Sequence, residues 1–502
     1  MSGQADPYTL LGLQHNASQQ DIKNAYRKLV QRLHPDRNKS PGARALFEAV
    51  TRAHELLSNV HAKEMFDSQI KSIPADAYFS LRVTPSRRAI QPLGETQVLY
   101  LLAEIEPPPQ LRTMDLKQNT PVNLTLVLDQ SNSMKGARLE LVKIAVHKII
   151  DSLNENDILS VVSFNDRPKV VIAPVAITES AKASLKAQVS LIQPIGATQI
   201  FKALNEGYQQ NQIRMTAQHV NHIILLTDGH TYGDPERSYE LAEELNTKGI
   251  GISTIGLGTD WNEDFLDKLA SKTGGQCEYI ENPKQIIPFL NNQIRHLSDA
   301  YADNLELIIA PDPDVLIDMT FKLSPHPQPL AHDSEQIALG TLQTQYPSSV
   351  LLQLQIPPNQ PTGFITLGRL LVSGNILHGG RYPYQIGSDI TIEVTHNPVR
   401  EDPPPIIMDA LSKLTLYRLQ EKAKEALDRG DVAEATRRLE NLATRFQEMG
   451  QTELATRTLA EAQRVAHTST LSNKGRKTLM FQTRTLMVDP KHTSNLINDD
   501  SE

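Results

Sequence analysis

Leu126-Val127-Leu128-Asp129-Gln130-Ser131-Asn132-Ser133-Met134 ends an apolar run with an acid, then offers two hydroxyls at alternate positions. Upstream, Val122 to Leu128 is mostly apolar, as expected of a strand covered on both faces. Downstream, Leu139, Val142, Val146, Ile149 and Leu153 fall on one helical stripe. The same alternation continues with a strand at Ile158 to Phe164, a helix near 180–191 and another from Ile200. The apolar run Ile223 to Leu226 predicts a central strand. A helix precedes the strand Ile252 to Ile255, and further helices are expected near 262–272 and 283–298. Residues 121–300 therefore predict a doubly wound α/β domain with a mostly parallel sheet.

Two more pieces follow the first in chain order. Gly196-Ala197-Thr198 lies before a helix, and Thr227-Asp228-Gly229 ends the central strand. With Asp129-x-Ser131-x-Ser133 they resemble the metal-ion-dependent adhesion site of von Willebrand factor type A domains. The departures are small: Ala197 replaces a frequent Gly, and Gln130 precedes the first serine. The resemblance implies a site made of Asp129, Ser131, Ser133, Thr198 and Asp228, holding magnesium, with manganese or calcium as alternatives. The residue types suit the ion, because magnesium is a hard cation that takes about six oxygens near ~2.0–2.1 Å. All five would lie at the carboxyl edge of the sheet, where ligands collect in open α/β folds. Three neutral hydroxyls leave the ion under-compensated, so a partner's acidic residue can complete its shell. The plainer alternative is a hydrogen-bonded loop with Asp129 and Asp228 as turn residues. It does not explain why hydroxyls and carboxylates arrive from three separate segments.

The N-terminus carries a second motif. Ile22, Tyr26, Leu29 and Leu33 recur at helical spacing, with Ser18 as N-cap and Asp21 three residues on. Lys23, Arg27, Lys28 and Arg32 fall off that stripe and make a basic flank. Pro35 cannot continue the helix and biases His34 out of the α region. A second helix with Phe47, Val50 and Leu57 on one side should pair antiparallel with the first. His34-Pro35-Asp36 between such helices resembles the J-domain of DnaJ-type co-chaperones. Asp6 to Leu13, Ala53 to Ser58 and Lys63 to Asp67 fit the same pattern, with His54 where Tyr is common. The resemblance covers 5–70. It implies that His34, Pro35, Asp36 and the basic flank dock on a DnaK-type chaperone and switch on its ATPase.

The remaining segments predict supporting structure. Residues 68–76 are a short connector. Period-two patterning within 77–120 predicts two or three strands, stopped by Pro107-Pro108-Pro109. Residues 301–400 return to strands separated by proline-rich loops. Each flank alone is too small and open-edged for a stable sheet, so one β-sandwich built from both is expected, with 121–300 inserted in it. Residues 405–488 are expected to be helical hairpins, with an internal repeat: Gly430, Ala435, Thr436, Arg437 and Leu439 recur as Gly450, Ala455, Thr456, Arg457 and Leu459. These helices either pack or hold a peptide. Residues 489–502 are expected to be a disordered tail.

Composition narrows the function classes. The 502-residue chain has a net charge of −8, which makes no case for nucleic-acid or membrane binding. Cys277 is the only cysteine, so no intrachain disulfide can form. No apolar run reaches the ~20 residues a membrane helix needs, and a cytoplasmic setting is expected. Gly256-x-Gly258 lacks the third glycine of a dinucleotide loop. No nucleophile with its base stands out, so no enzyme is expected. The expected function is a multidomain α+β co-chaperone adaptor, with its J-domain working through a short tether and its type A domain holding a client. The alternative is a cytoplasmic assembly scaffold that works with an AAA-type ATPase.

Overall fold

The computed structural model describes residues 6–70, 78–110, 120–229, 235–377, 380–399 and 401–487. Its centre is a β-sandwich whose strands come from both sides of the inserted domain. The early strands are β1 (Ser80–Pro85), β2 (Ala89–Ile90) and β3 (Gln97–Glu106). The insert contributes β4 (Val122–Asp129), β5 (Ile158–Phe164), β6 (Pro168–Ala176), β7 (Val220–Thr227), β8 (Ile250–Leu257) and β9 (Cys277–Ile280). The late strands are β10 (Ala300–Pro311), β11 (Leu316–Ser324), β12 (Gln328–Leu330), β13 (Ile337–Gln343), β14 (Ser348–Ile356), β15 (Gly363–Ile376) and β16 (Tyr382–Val394). One sandwich sheet runs β1-β3-β14-β11-β12 and the other β13-β10-β15-β16-β2. Early β3 sits between β1 and late β14, so neither flank makes its sheet alone. Entry to and exit from the insert are pinned together: the Thr120 amide donates to the Ser298 carbonyl at 2.9 Å, and its hydroxyl donates to the Ala300 carbonyl at 2.9 Å.

The inserted sheet runs β6-β5-β4-β7-β8-β9 and is parallel except for the edge strand β6. β4, β5 and β7 are buried at every residue, which is why their sequences are mostly apolar instead of alternating. Three strands were not anticipated. β6 contains Pro168 and Pro174, which an edge strand tolerates but which mask the pattern. β9 and β12 have four and three residues, too short to show a period.

The N-terminal helices are Pro7–Leu11, Gln19–Leu33, Pro41–Ser58 and Val60–Ile70. Ser18 closes a full capping box with Asp21. The apolar stripes bury each other through Leu10, Ile22, Leu29, Leu33, Leu46, Val50 and Leu57. That core also takes in Ile308, Ala310 and Leu371 from the outer face of the sandwich. The J-like unit is therefore packed on the sandwich, which departs from the tethered arrangement expected from the connector. Of that connector, residues 68–70 continue the helix Val60–Ile70, and 71–76 lie outside the described residues. Along β10, Leu307 and Ile309 face the sandwich core while Ile308 and Ala310 face the N-terminal helices, so one strand is apolar on both sides.

The C-terminal helices are Pro405–Asp428, Val432–Glu448, Thr452–Thr468 and Asn473–Met487. The first covers the opposite sandwich sheet, where Ile407, Ala410 and Leu414 meet Leu102, Phe321 and Leu351. The last packs on the inserted domain: Met480 and Phe481 join Trp261, Phe265 and Leu269. The tail 489–502 has no described residue. Among the described residues no helix is long and apolar enough to cross a membrane.

Candidate functional site: an oxygen-lined pocket and an exposed His-Pro-Asp loop

The first serine loop leaves β4 at Asp129 and is held from both sides by backbone. The Gln130 amide donates to the Phe164 carbonyl at 2.8 Å, and the Gln130 carbonyl accepts from the Ile195 amide at 2.7 Å. The Asn132 amide donates to the Gly196 carbonyl at 3.1 Å, tying the first loop to the second. Gly196 has φ +84°, and a Cβ there would press on Asn165 at 3.0 Å. Glycine is therefore required to bring Thr198 inward.

Within this frame the expected residues converge. The Ser131 amide donates to Asp129 Oδ1 at 2.8 Å, and the Ser131 and Ser133 hydroxyls lie 2.9 Å apart. Ser133 Oγ donates to Asp228 Oδ1 at 2.6 Å. Thr198 reaches the same place: a Cβ built on Gly229 would lie 3.4 Å from Thr198 Oγ1 and 3.9 Å from Ser133 Oγ. Asp129 and Asp228 are both fully buried. Burial pushes the Asp129 carboxyl up to about 6, and the nearby Asp228 charge adds to the rise; hydrogen bonds from Thr227 and Ser131 oppose it.

Two contributors were missed by the sequence reading. Thr227 Oγ1 donates to Asp129 Oδ2 at 2.6 Å, from the strand next to β4. Arg138 Nη1 donates to Asp228 Oδ2 at 2.7 Å and to the Ser133 carbonyl at 3.4 Å. Thr227 stood inside a quoted motif and was readable as a donor; nothing in the motif signals Arg138.

The residues present fit a hard divalent cation. Two buried carboxylates repel one another and call for compensating charge, and three hydroxyls surround them. Asp129, Ser131, Ser133, Thr198 and Asp228 would hold such an ion, which would supply an electrophilic position for an oxygen ligand. Among the described residues no group of three or more His, Cys, Asp or Glu side chains is placed to hold a metal elsewhere. The Gly256-x-Gly258 pair has structural causes. A Cβ on Gly256 would overlap the Trp261 indole, and Gly258 lies against Arg138.

The second surface is on the N-terminal unit. His34 caps the helix Gln19–Leu33, and its Nδ1 accepts from the Asp36 amide at 3.2 Å. The Asp36 side chain is 85 % exposed and that of His34 42 %. Lys23, Arg27 and Lys28 are exposed along the helix. Arg32 differs: its guanidinium holds Asp312 at 2.8 and 3.0 Å and approaches Asp389 at 3.5 Å, both on the sandwich. His54 stacks on Tyr26, with ring centroids 3.9 Å apart and 12° between planes. It fills the aromatic role expected of a Tyr.

Comparison with known proteins agrees with this division. The DnaJ domain matches residues 6–67, the von Willebrand factor type A domain matches 123–291, and the "Sll0103-like, C-terminal alpha-helical domain" matches 405–489. The "Uncharacterized protein sll0103" of Synechocystis sp. is 32% identical over 257 residues, covering 49% of this chain and 60% of that protein. The human "DnaJ homolog subfamily C member 16" is 48% identical over 62 residues, 12% of this chain and 8% of that protein. The chain thus spans less than two thirds of either relative. A solved structure of "von Willebrand factor type A from Catenulispora acidiphila" shares the fold with TM-score 0.64 and 16% identity, over 82% of this chain and 98% of that one. The chain carries an N-terminal DnaJ domain and a von Willebrand factor type A domain, followed by a C-terminal helical domain similar to that of Sll0103-like proteins.

Proposed function

We propose that this protein is a DnaJ-like co-chaperone adaptor. Its DnaJ domain engages a DnaK-type chaperone and stimulates its ATPase, while its type A domain holds a protein client through a divalent cation, magnesium being the best fit. The observation that carries the reading is the coexistence on one body of an exposed His-Pro-Asp loop and a converged set of oxygen donors, of which Ser133 is exposed and the other four are buried. The His-Pro-Asp loop and Lys23, Arg27 and Lys28 face outward although the domain is packed on the sandwich. The oxygen-lined pocket gathers its donors at the carboxyl edge of the inserted sheet. The cation would offer its remaining position to an acidic side chain of the client. The role is one of binding, not catalysis, and its setting is the cytoplasm, where the chaperone partner works.

The test has two arms. Asp36→Asn should abolish stimulation of a DnaK-type ATPase while circular dichroism shows an unchanged fold. Full stimulation by that variant would remove the chaperone half of the proposal. Affinity purification in magnesium, repeated in chelator, should lose the client in the second case. A client retained equally in both would show that the metal is not the contact.

A further inference from the structure

Arg138 is the feature of the pocket that the proposed function leaves unexplained. It lies on the helix Ala137–Ser152, just after the serine loop. Both oxygens of Asp228 are engaged, Oδ1 by the Ser133 hydroxyl at 2.6 Å and Oδ2 by the Arg138 guanidinium at 2.7 Å. The Asp228 side chain is 0% exposed and that of Arg138 36%. The carboxylate therefore stays where it is, while the arginine has an open route to water. The seat is also shaped for the guanidinium. A Cβ on Gly258 would lie 3.0 Å from Arg138 Nη2, closer than most side-chain contacts allow, and Gly258 has φ +71°.

Resting on the reading of this pocket as a cation site, we propose that Arg138 is a tethered cation that competes with the divalent ion for Asp228. A buried carboxylate gains most from one close cation, and a second brought to the same oxygens is repelled by the first. A dication entering beside Ser131 and Ser133 shifts the guanidinium off Oδ2 and toward the solvent-facing rim. There a positive group stands next to the ion, where a client's acid would arrive. Arg138 thus lowers the pocket's affinity for metal and couples metal entry to a basic contact at the rim. Gly258 is the residue that makes room for the arginine when it is seated.

Isothermal titration of the full chain with Mg2+ tests this directly, with wild type, Arg138→Met and Arg138→Lys compared. Removing the charge should tighten Mg2+ binding roughly tenfold, and the lysine variant should stay near wild type. Thermal unfolding supplies a second readout. In chelator Arg138→Met should unfold below wild type, because the buried Asp228 loses the guanidinium paired with it, and added Mg2+ should raise its midpoint more than it raises that of wild type. Equal or weaker Mg2+ binding by Arg138→Met, with wild type binding normally, overturns the competition while leaving the metal site in place. Absence of Mg2+ binding in every variant overturns the metal reading itself, and this inference with it.

Discussion

Asp129 and His222 show how burial sets charge at single residues in this protein. Asp129 is fully buried among donors that favour its charged form, yet its carboxyl is pushed up to about 6, so desolvation outweighs the hydrogen bonds. Asp129→Ala should abolish Mg2+ binding in calorimetry, since it removes one of two buried charges and the anchor of the Ser131 amide. His222 is also buried, with Nε2 2.9 Å from Ser253 Oγ and the imidazole against Gly251. Burial drops it to about 4 from an ordinary 6.5. The folded state keeps this imidazole neutral while the unfolded chain takes up a proton. Stability from this group is therefore complete above pH 6.5 and is lost as pH falls toward 4. The loss is roughly 3 kcal/mol at about 1.4 kcal/mol per unit. Denaturant midpoints in chelator at several pH values should fall more steeply for wild type than for His222→Gln across that window; parallel curves would refute the assignment. The motif residues of the oxygen-lined pocket were readable because their three segments, taken in chain order, resemble the site pattern of type A domains. Arg138 was not, because it lies on the helix after the serine loop, outside the three motif segments, and a lone arginine on a helix reads as a solvated residue.

At the scale of elements, the glycine repeat of the C-terminal domain behaves as its sequence implies. Gly430 and Gly450 both have φ +76° and end their helices with paired closing bonds: the Asp431 amide donates to the Ala426 carbonyl, and the Gln451 amide to the Phe446 carbonyl. A Cβ at either site would meet nothing within 4 Å, so Gly430→Ala should cost about 1 kcal/mol from backbone conformation alone, measurable by denaturation. The equivalence stops there, since Leu439 is buried and Leu459 is 45% exposed. The last helix, Asn473–Met487, was readable as a helix but not as a partner of the type A domain. Beside the apolar contacts of Met480 and Phe481, two buried ion pairs anchor it. Lys477 pairs with Glu263 at 2.8 Å, both almost fully buried, and Arg484 makes a two-pronged pair with Asp267 at 2.5 and 2.8 Å. Polar anchors do not show in an apolar periodicity. Breaking such a pair strands a buried charge, so Arg484→Met should destabilise the protein by roughly 3 kcal/mol. Unchanged unfolding of that variant would mean that the helix does not hold the domain.

Across the whole molecule the sandwich acts as a spine with both outer faces occupied. The DnaJ domain covers one sheet and the helix Pro405–Asp428 covers the other. The sandwich built from two flanks was foreseeable, because neither flank could close its own sheet. The docking of the DnaJ domain had a signal that period-two analysis overlooks: Leu305 to Ala310 is apolar at five of six positions, Glu306 being the exception, and a strand apolar at successive residues needs cover on both sides. Three contacts make the docking specific. Asn38 Nδ2 donates to the Pro311 carbonyl at 2.7 Å, Arg369 Nη2 donates to the Thr9 carbonyl at 3.0 Å, and Arg32 reaches Asp312 and Asp389. Gly42 packs so tightly on the Ile309 carbonyl that no side chain fits. A domain held this way presents its His-Pro-Asp loop in a fixed direction relative to the oxygen-lined pocket, whereas a flexible tether would set only an effective concentration. Reversing the charges on the sandwich side, Asp312→Arg with Asp389→Arg, turns Arg32 from an anchor into a source of repulsion and leaves the DnaJ sequence intact. Small-angle scattering should then show a larger radius of gyration than wild type. On the proposed function, ATPase stimulation by the freed domain should persist, because His34, Pro35 and Asp36 are unaltered, while refolding of a client held at the oxygen-lined pocket should fall. Identical scattering from wild type and variant would show that these ion pairs do not hold the domain, and undiminished refolding with an expanded shape would show that orientation carries no advantage over proximity.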